Sequence, residues 1–591
     1  MAGRHVLGIG LALSLAAAAL LLLPTVAVQS ETASLPLDAP DSELDGYFGY
    51  LPVIARPGAP AVIEVTQAVQ RPGNPVVLIA ERPTMVRWSL TSTVEYAGVN
   101  GWVYGRRDGV PLPGSPLAAL NNPRTVRATV NRANLDDTFN FALPESWRSG
   151  VVELQFTASN GATYNIARGP QTIAFTAAAP MHVTVVPIAY TCTSGGSGTS
   201  TPTPPYDYLT DYTFRVYPVP AIPLAVHSSI AYSGPCTDNQ PNPTSQDWSN
   251  MLSSVTAVWS SEGGPNSYYY GLIDNIYCVG GCIAGMGWVG GYKVAVGFDG
   301  FGANHSGASE THAHEVGHNH GRYHAPGCGA GNPDPGYPYV VDGKGFIGDS
   351  AHPNFGFDVN SLVIYPYTSY YDFMSYCSPE WISDYTYEAI WLYDAAQRAN
   401  PPTPVGERSL LVSGVLTPEG VTFRPAYLLN TPAYRPEPGD YTVELLDGAG
   451  NAVAAYPFAP VTIADAVPGM PAEGFFLRLP PAEGVEAVRV SRGGATLGLL
   501  QPGRRPPALR AGRVARDGDT LRWQAGDPDG DVLHYLVRVS ADGGASWETV
   551  GVDLTGPTVT LDPRWERLDL LVEIVASDGL HTATLRQGVT R

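Results

Sequence analysis

The chain has 591 residues, too many for one hydrophobic core, and 44% hydrophobic with 10% aromatic residues is enough to build several. Its net charge of −20 repels phosphate, which argues against nucleic-acid and anionic-membrane partners and suits a soluble exported protein. The 65 glycines and 54 prolines, with few long periodic helical stretches, favour short strands and loops over a helical bundle.

Residues 1–30 read as a signal peptide. Arg4 precedes an apolar run to Leu23, Pro24 ends it, and Thr25 to Ala27 offer small residues for cleavage. The run is near the lower length limit of a membrane span, so a retained anchor is the weaker alternative. No stable span is expected after cleavage. Residues 31–60, rich in Pro and Gly with scattered acids, read as a linker. Residues 61–180 alternate apolar and polar positions in "AVIEVTQAVQ", "TMVRWSLTSTVEY", "RTVRATVNRA" and "GVVELQFTA", with turn-rich stretches between, which predicts an N-terminal β-sandwich.

Residues 181–402 mix strands and helices and read as an α+β domain. Met181–Cys192 is an apolar strand. "SQDWSNMLSSVTAVWSSEGG" places Trp248, Leu252, Val255 and Trp259 on one helical face and stops at Gly263–Gly264. Tyr292–Phe298 reads as a strand. The next helix is capped by Ser306 or Ser309 and stopped by Gly321, and a closing helix runs over "TYEAIWLYDAAQRA". The cysteines Cys192, Cys236, Cys278, Cys282, Cys328 and Cys377 all fall here. An even number in an exported chain predicts disulfides cross-linking this domain. "CVGGC" has no second pair at zinc-finger spacing, so Cys278 and Cys282 read as a disulfide.

Six of the twelve histidines lie between His305 and His324. On a helix His314 and His318 share one face, and two imidazoles there can hold one Zn²⁺. Glu315 falls beside the metal rather than on it, placed to take a proton from the attacking water. Two turns further along a straight helix a third ligand would point away. Gly321 adopts a left-handed backbone without steric cost, turns the chain, and lets His324 return to the metal. His312 and His320 fall off the ligand face and read as surface residues or as supports of a ligand.

The five positions match H-E-x-x-H-x-x-G-x-x-H, the metzincin signature of zinc peptidases; chance would supply such a match in roughly one chain of this length in several thousand. The signature implies a Met-turn downstream, which "YYDFMSYC" supplies with Met374 as the apolar base beneath the ligands. Tyr376, two positions on, resembles the M-x-Y arrangement of astacins and serralysins, in which the tyrosine stabilises the transition state. The segments "HEVGHNHGRYHAPGC", "YYYGLIDNIYC", "DFMSYCSPEWISDYTY" and "GRRDGVPLPGSPL…NLDDTFNF" are similar to the secreted bacterial M66 (StcE-like) peptidases, over roughly residues 61–400. That resemblance implies cleavage of heavily O-glycosylated proteins. By analogy with metzincins the strand Tyr292–Phe298 would be the cleft edge to which extended substrate adds, and the ligand loop and Met-turn would meet beneath the metal. This implies a Cys328–Cys377 disulfide, leaving Cys192–Cys236 and Cys278–Cys282.

Asn400–Glu407 reads as a second linker, followed by a β-rich domain over 403–505 and a fibronectin III- or immunoglobulin-like domain over 506–591. The stretch "DPDGD", Asp527–Asp531, reads as a solvated turn, with calcium as the alternative. The chain as a whole is expected to be a secreted zinc-dependent endopeptidase acting on extracellular proteins or glycoproteins, free or at a cell surface. The competing expectation is a catalytically weak glycoprotein-binding or adhesion protein built on the same domains. All expected catalytic residues precede Asn400, so a chain ending there is expected to keep peptide hydrolysis.

Overall fold

The structure is a computed structural model, and it describes residues 62–71, 73, 76–278, 281–466 and 472–590. The signal peptide and first linker expected over 1–60 lie outside the described residues. Most of the regular structure is β-sheet, arranged as several cores within one compact unit. Among the described residues no helix is long and apolar enough to cross a membrane.

The N-terminal part is a sandwich. Val62–Thr66, Met85–Ser89 and Thr138–Ala142 make one sheet, and the long strands Tyr96–Arg107, Gly150–Ser159 and Asn165–Thr176 dominate the other. Trp88 packs 5.4 Å from Phe156 of the facing sheet, ring centre to ring centre, and 5.6 Å from its cross-strand neighbour Phe139. Val69–Gln70 leaves this sandwich to pair with Phe355–Gly356 of the next domain.

The central sheet of the next domain is built on β1 (Val183–Ser194), β2 (Ile230–Thr237), β3 (Tyr268–Ile273), β4 (Gly285–Gly287) and β5 (Val294–Phe298). Its order is β2-β1-β3-β5-β4, with β4 antiparallel and the other four parallel. Helices cover both faces. Against one lie α1 (Asp211–Val216), α3 (Ala308–Asn319) and α4 (Asp384–Ala399), with Tyr270, Leu272 and Ala295 facing them; against the other lies α2 (Ser245–Ser261), with Ile273, Val294 and Val296 facing it. The expected α+β segregation is therefore replaced by α/β layering, because β1 and β3 are apolar on both faces and must be covered twice. The helix expected at 245–261 buries Trp248, Leu252, Val255 and Trp259 as its pattern required. The edge strand is β4, not the Tyr292–Phe298 strand: β5 is enclosed between β3 and β4.

Three disulfides join Cys192 to Cys236, Cys278 to Cys282 and Cys328 to Cys377, the pairs the sequence led one to expect. The last closes a loop with a separation of 49 residues, stabilising the fold by about 4 kcal/mol in the chain-entropy picture.

Residues 403–505 form a second sandwich around Val412, Val443, Phe458, Phe475 and Val488. Its strand Ser409–Thr417 is buried on both faces, because Leu411, with Phe476 of the paired strand Glu473–Leu479, joins the core of α2, Met286 and Trp288. A chain ending near Asn400 would thus expose part of the central domain's own core, so truncation there cannot be read as simple removal of a spare module. The last domain is fastened as firmly. Arg538, 2% exposed, pairs with Glu573 and donates to the Ser261 carbonyl at the end of α2, 3.0 Å away.

Candidate metal centre

Helix α3 carries the histidine motif. Its N-cap is Gly307, at φ 86°, rather than Ser306 or Ser309; the Ser309 hydroxyl instead accepts the Tyr212 N–H at 2.7 Å, tying α3 to α1. His314 and His318 share one face with ring centres 4.9 Å apart, edge to face. Gly321, at φ 73°, reverses the chain, a backbone that costs a β-carbon-bearing residue about 1 kcal/mol or more. His324 then returns to 4.7 Å from the His318 ring and 5.3 Å from that of His314.

Each imidazole is oriented from behind. The Nδ1 atoms of His314, His318 and His324 face the carbonyls of Phe373 at 2.8 Å, Arg322 at 2.6 Å and Gly331. With Nδ1–H donating, the Nε2 lone pairs of His314 and His318 are free, the arrangement that fixes a metal-binding tautomer, while His324 Nε2 lies 3.1 Å from a carboxylate oxygen of Asp465. The Nε2 atoms of His314 and His318 are buried and have no hydrogen-bond partner, which is costly unless a ligand or ion completes them. Burial, reinforced by His324, lowers the His314 pKa to about 4 and pushes that of His318 well below its usual value. Both are neutral at pH 7, as a ligand must be.

Met374 lies buried directly beneath α3. A β-carbon at position 317 would stand 2.4 Å from its sulfur, so Gly317, between the two helix-borne histidines, is what admits the turn. The N–H of Ala325 donates to the Met374 carbonyl at 2.9 Å, and Cys328–Cys377 closes the same contact. Glu315 is 3% exposed with Oε2 unpartnered. It lines a cavity of about 290 Å³ together with Ile283, Gly285, Thr311, Glu380 and Tyr376. The Tyr376 ring lies 4.9 Å from that of His324.

Sequence reasoning missed Asp465. It comes from the second sandwich, just after the short strand Val461–Thr462, and is 9% exposed. Its Oδ1 lies 3.1 Å from His324 Nε2 and its Oδ2 3.7 Å from His318 Nε2, and the Tyr376 hydroxyl donates to Oδ1. His314, His318, His324 and Asp465 each present a ligand atom within 4.8 Å of the others, a group able to hold a metal ion. A carboxylate thus stands beside the three histidines expected from the sequence. Burial opposes ionisation of Asp465, but the His324 hydrogen bond and the surrounding imidazoles hold its pKa well below the usual carboxylate range. Burial and then the Asp465 charge raise Glu315 well above that range.

His312 and His320 are both fully buried, which corrects their reading as surface residues. His312 Nδ1 pairs with the Thr213 hydroxyl at 2.7 Å, and burial lowers its pKa to about 3. His320 Nε2 meets the Tyr268 hydroxyl at 2.9 Å. Both pack α3 against its neighbours. In the last domain the carboxylates of Asp527, Asp531 and Asp578 cluster within 4.8 Å. Asp527 Oδ1 accepts the N–H groups of Asp529 and Asp531, as in an ordinary acidic turn, and Asp529 is held by Arg505.

No protein-family model matches the chain, and no curated protein does. Among solved structures, a two-domain fibronectin type III segment of chicken tenascin is 13% identical, covering 31% of this chain and 97% of its own, at a TM-score of 0.12. The FN1–FN3 domains of chicken CNTN1 are 15% identical over 32% of this chain and 66% of theirs, at 0.11. Immunoglobulin domains 1–5 of Sidekick-1 are 8% identical over 89% and 98%, at 0.10. Scores this low assign no part of the chain to a known fold.

Proposed function

We propose that this protein is a secreted zinc-dependent endopeptidase whose site is His314, His318 and His324 with Glu315. The observation that supports it most is the convergence of three imidazoles, each with Nδ1 turned to a backbone carbonyl and two with orphaned buried Nε2 atoms. That donor set fits Zn²⁺, which binds imidazole nitrogen and carboxylate oxygen. The bound ion would supply Lewis-acid polarisation of the scissile carbonyl and a lowered water pKa. Glu315, whose carboxyl lines the cavity, accepts the proton of the attacking water and returns it to the amide nitrogen as the C–N bond breaks. Tyr376, whose hydroxyl already sits among the ligands, donates to the developing oxyanion. The three disulfides suit an oxidising, extracellular setting. The substrate class, O-glycosylated proteins, follows only from the resemblance in the motif segments.

Tyr376→Phe is expected to lower kcat by about 10²–10³-fold with zinc content unchanged, as for loss of one oxyanion donor. An unchanged kcat would reduce Tyr376 to a packing residue. For the activity itself, the purified chain is incubated with casein and a panel of mucin-type glycoproteins, with and without a zinc chelator. Cuts that vanish on chelation and return with Zn²⁺ are expected; cleavage that survives chelation would overturn the reading.

Asp465 favours a second reading, a closed metal site with a purely structural role, because structural zinc sites have four protein ligands. In that case Glu315 would serve no chemistry and its substitution would not affect any cleavage.

A further inference from the structure

We infer that Val461–Asp465 of the second sandwich is a built-in plug of the metal cleft, with Asp465 as a fourth metal ligand that must withdraw before a peptide is cut. This rests on the zinc-peptidase reading and adds a resting state to it. Two independent sets of contacts carry it.

The first is the carboxylate. Asp465 is held by His324 Nε2 at 3.1 Å and by the Tyr376 hydroxyl, while its Oδ2, buried and without a hydrogen bond, lies 3.7 Å from His318 Nε2. A buried carboxylate oxygen left unpartnered next to two unpartnered imidazole nitrogens is a costly arrangement that one shared cation would satisfy. Three imidazoles and a carboxylate complete a tetrahedral zinc set and leave no position for water.

The second is the backbone that carries it. Val289 N–H donates to the Thr462 carbonyl at 2.9 Å, and Ala464 N–H donates to the Gly287 carbonyl at 3.0 Å, with Trp288 and Ile463 bridged antiparallel between them. The segment thus adds as a strand to the edge of the central sheet, beyond β4. This is how an extended peptide would bind beside the metal, its main chain paired to a free edge. Ile463, fully buried in the core with Trp288 and Phe476, anchors the strand. The plug fills one side only. On the other side of Asp465 the cavity lined by Ile283, Gly285 and Thr311 remains. A substrate can therefore dock along Ile283–Gly285, but it cannot cross the metal until Asp465 moves.

A purely structural site accounts for the four ligands but gives no role to the Glu315 carboxyl that lines the cavity. The plug accounts for both.

The test uses the full-length chain, its Asp465→Ala variant and the isosteric Asp465→Asn, with thermal unfolding to verify that all three fold. Zinc affinity is measured by competition with a chromophoric chelator, the visible spectrum is recorded after Co²⁺ substitution, and hydrolysis of a quenched fluorescent peptide is followed. Both variants are expected to bind zinc at least about 10-fold more weakly, to shift the Co²⁺ bands as a carboxylate is replaced, and to cleave the peptide at least about 10-fold faster than wild type. Unchanged zinc affinity and Co²⁺ spectrum would overturn Asp465 as a ligand. Weaker zinc binding without any gain in hydrolysis would overturn the plug and favour the structural site. A wild-type chain that binds no zinc would instead sink the peptidase reading itself.

Discussion

Glu315→Gln is expected to lower kcat/KM for peptide hydrolysis by about 10²–10⁴-fold, the usual share of a general base, and to leave zinc content unchanged. The substitution is isosteric and touches none of the three imidazoles, each of which is oriented by a backbone carbonyl rather than by Glu315. What it removes is the proton acceptor, a buried carboxyl that lines the cavity. Folding stability should not fall, because two adjacent buried carboxyls, Glu315 and Asp465, are replaced by one carboxylate and one neutral amide. The comparison is made in wild type and in the Asp465→Ala chain, with zinc measured on the same samples. Near-wild-type turnover with zinc retained would remove Glu315 from the chemistry.

Arg538→Ala is expected to destabilise the protein by about 3–5 kcal/mol, the cost of leaving a buried charge without its partner. Arg538 and Glu573 are 2% and 1% exposed, and Arg538 Nε donates to Glu573 Oε1 at 2.9 Å. Its Nη1 also donates to the Ser261 carbonyl, so the same change loosens the last domain from the end of α2. Arg586, 45% exposed, still reaches Glu573 and should keep the loss toward the lower figure. Chemical denaturation of the full chain measures it. A loss below about 1 kcal/mol would mean that the pair is hydrated or replaceable, and that the domain is held by its apolar contacts alone.

The three candidate ligands were legible because their geometry is local. Period and one glycine are enough to bring His314, His318 and His324 together, and Met374 with its cysteine neighbour follows from the same short segments. Asp465 was not legible, because it lies 141 residues beyond His324 in "TIADAV", which has no periodicity or spacing to mark it. It is placed by strand pairing between two domains. The edge strand was misassigned for a related reason: Gly285–Gly287 is too short and too rich in glycine to read as a strand, so Tyr292–Phe298 took its place. The burial of His312 and His320 depended on α1 and α4 packing over α3, which histidine spacing alone does not reveal. One signal was present but unused. "SLLVSGVL" at 409–416 is apolar at consecutive positions, where a free sandwich strand would alternate, and that run marks the sheet that docks on the central domain.

The central claim is that His314, His318 and His324 hold one zinc ion. Its most direct test is the metal content, by elemental analysis, of the full-length chain and of His324→Ala after loading with Zn²⁺ and desalting. The account predicts one zinc per wild-type chain and loss of most of it in the variant, which keeps only two imidazoles and Asp465, itself held there by His324. A wild-type chain without zinc, or a folded His324→Ala chain that retains it in full, would contradict the site on which everything else here depends.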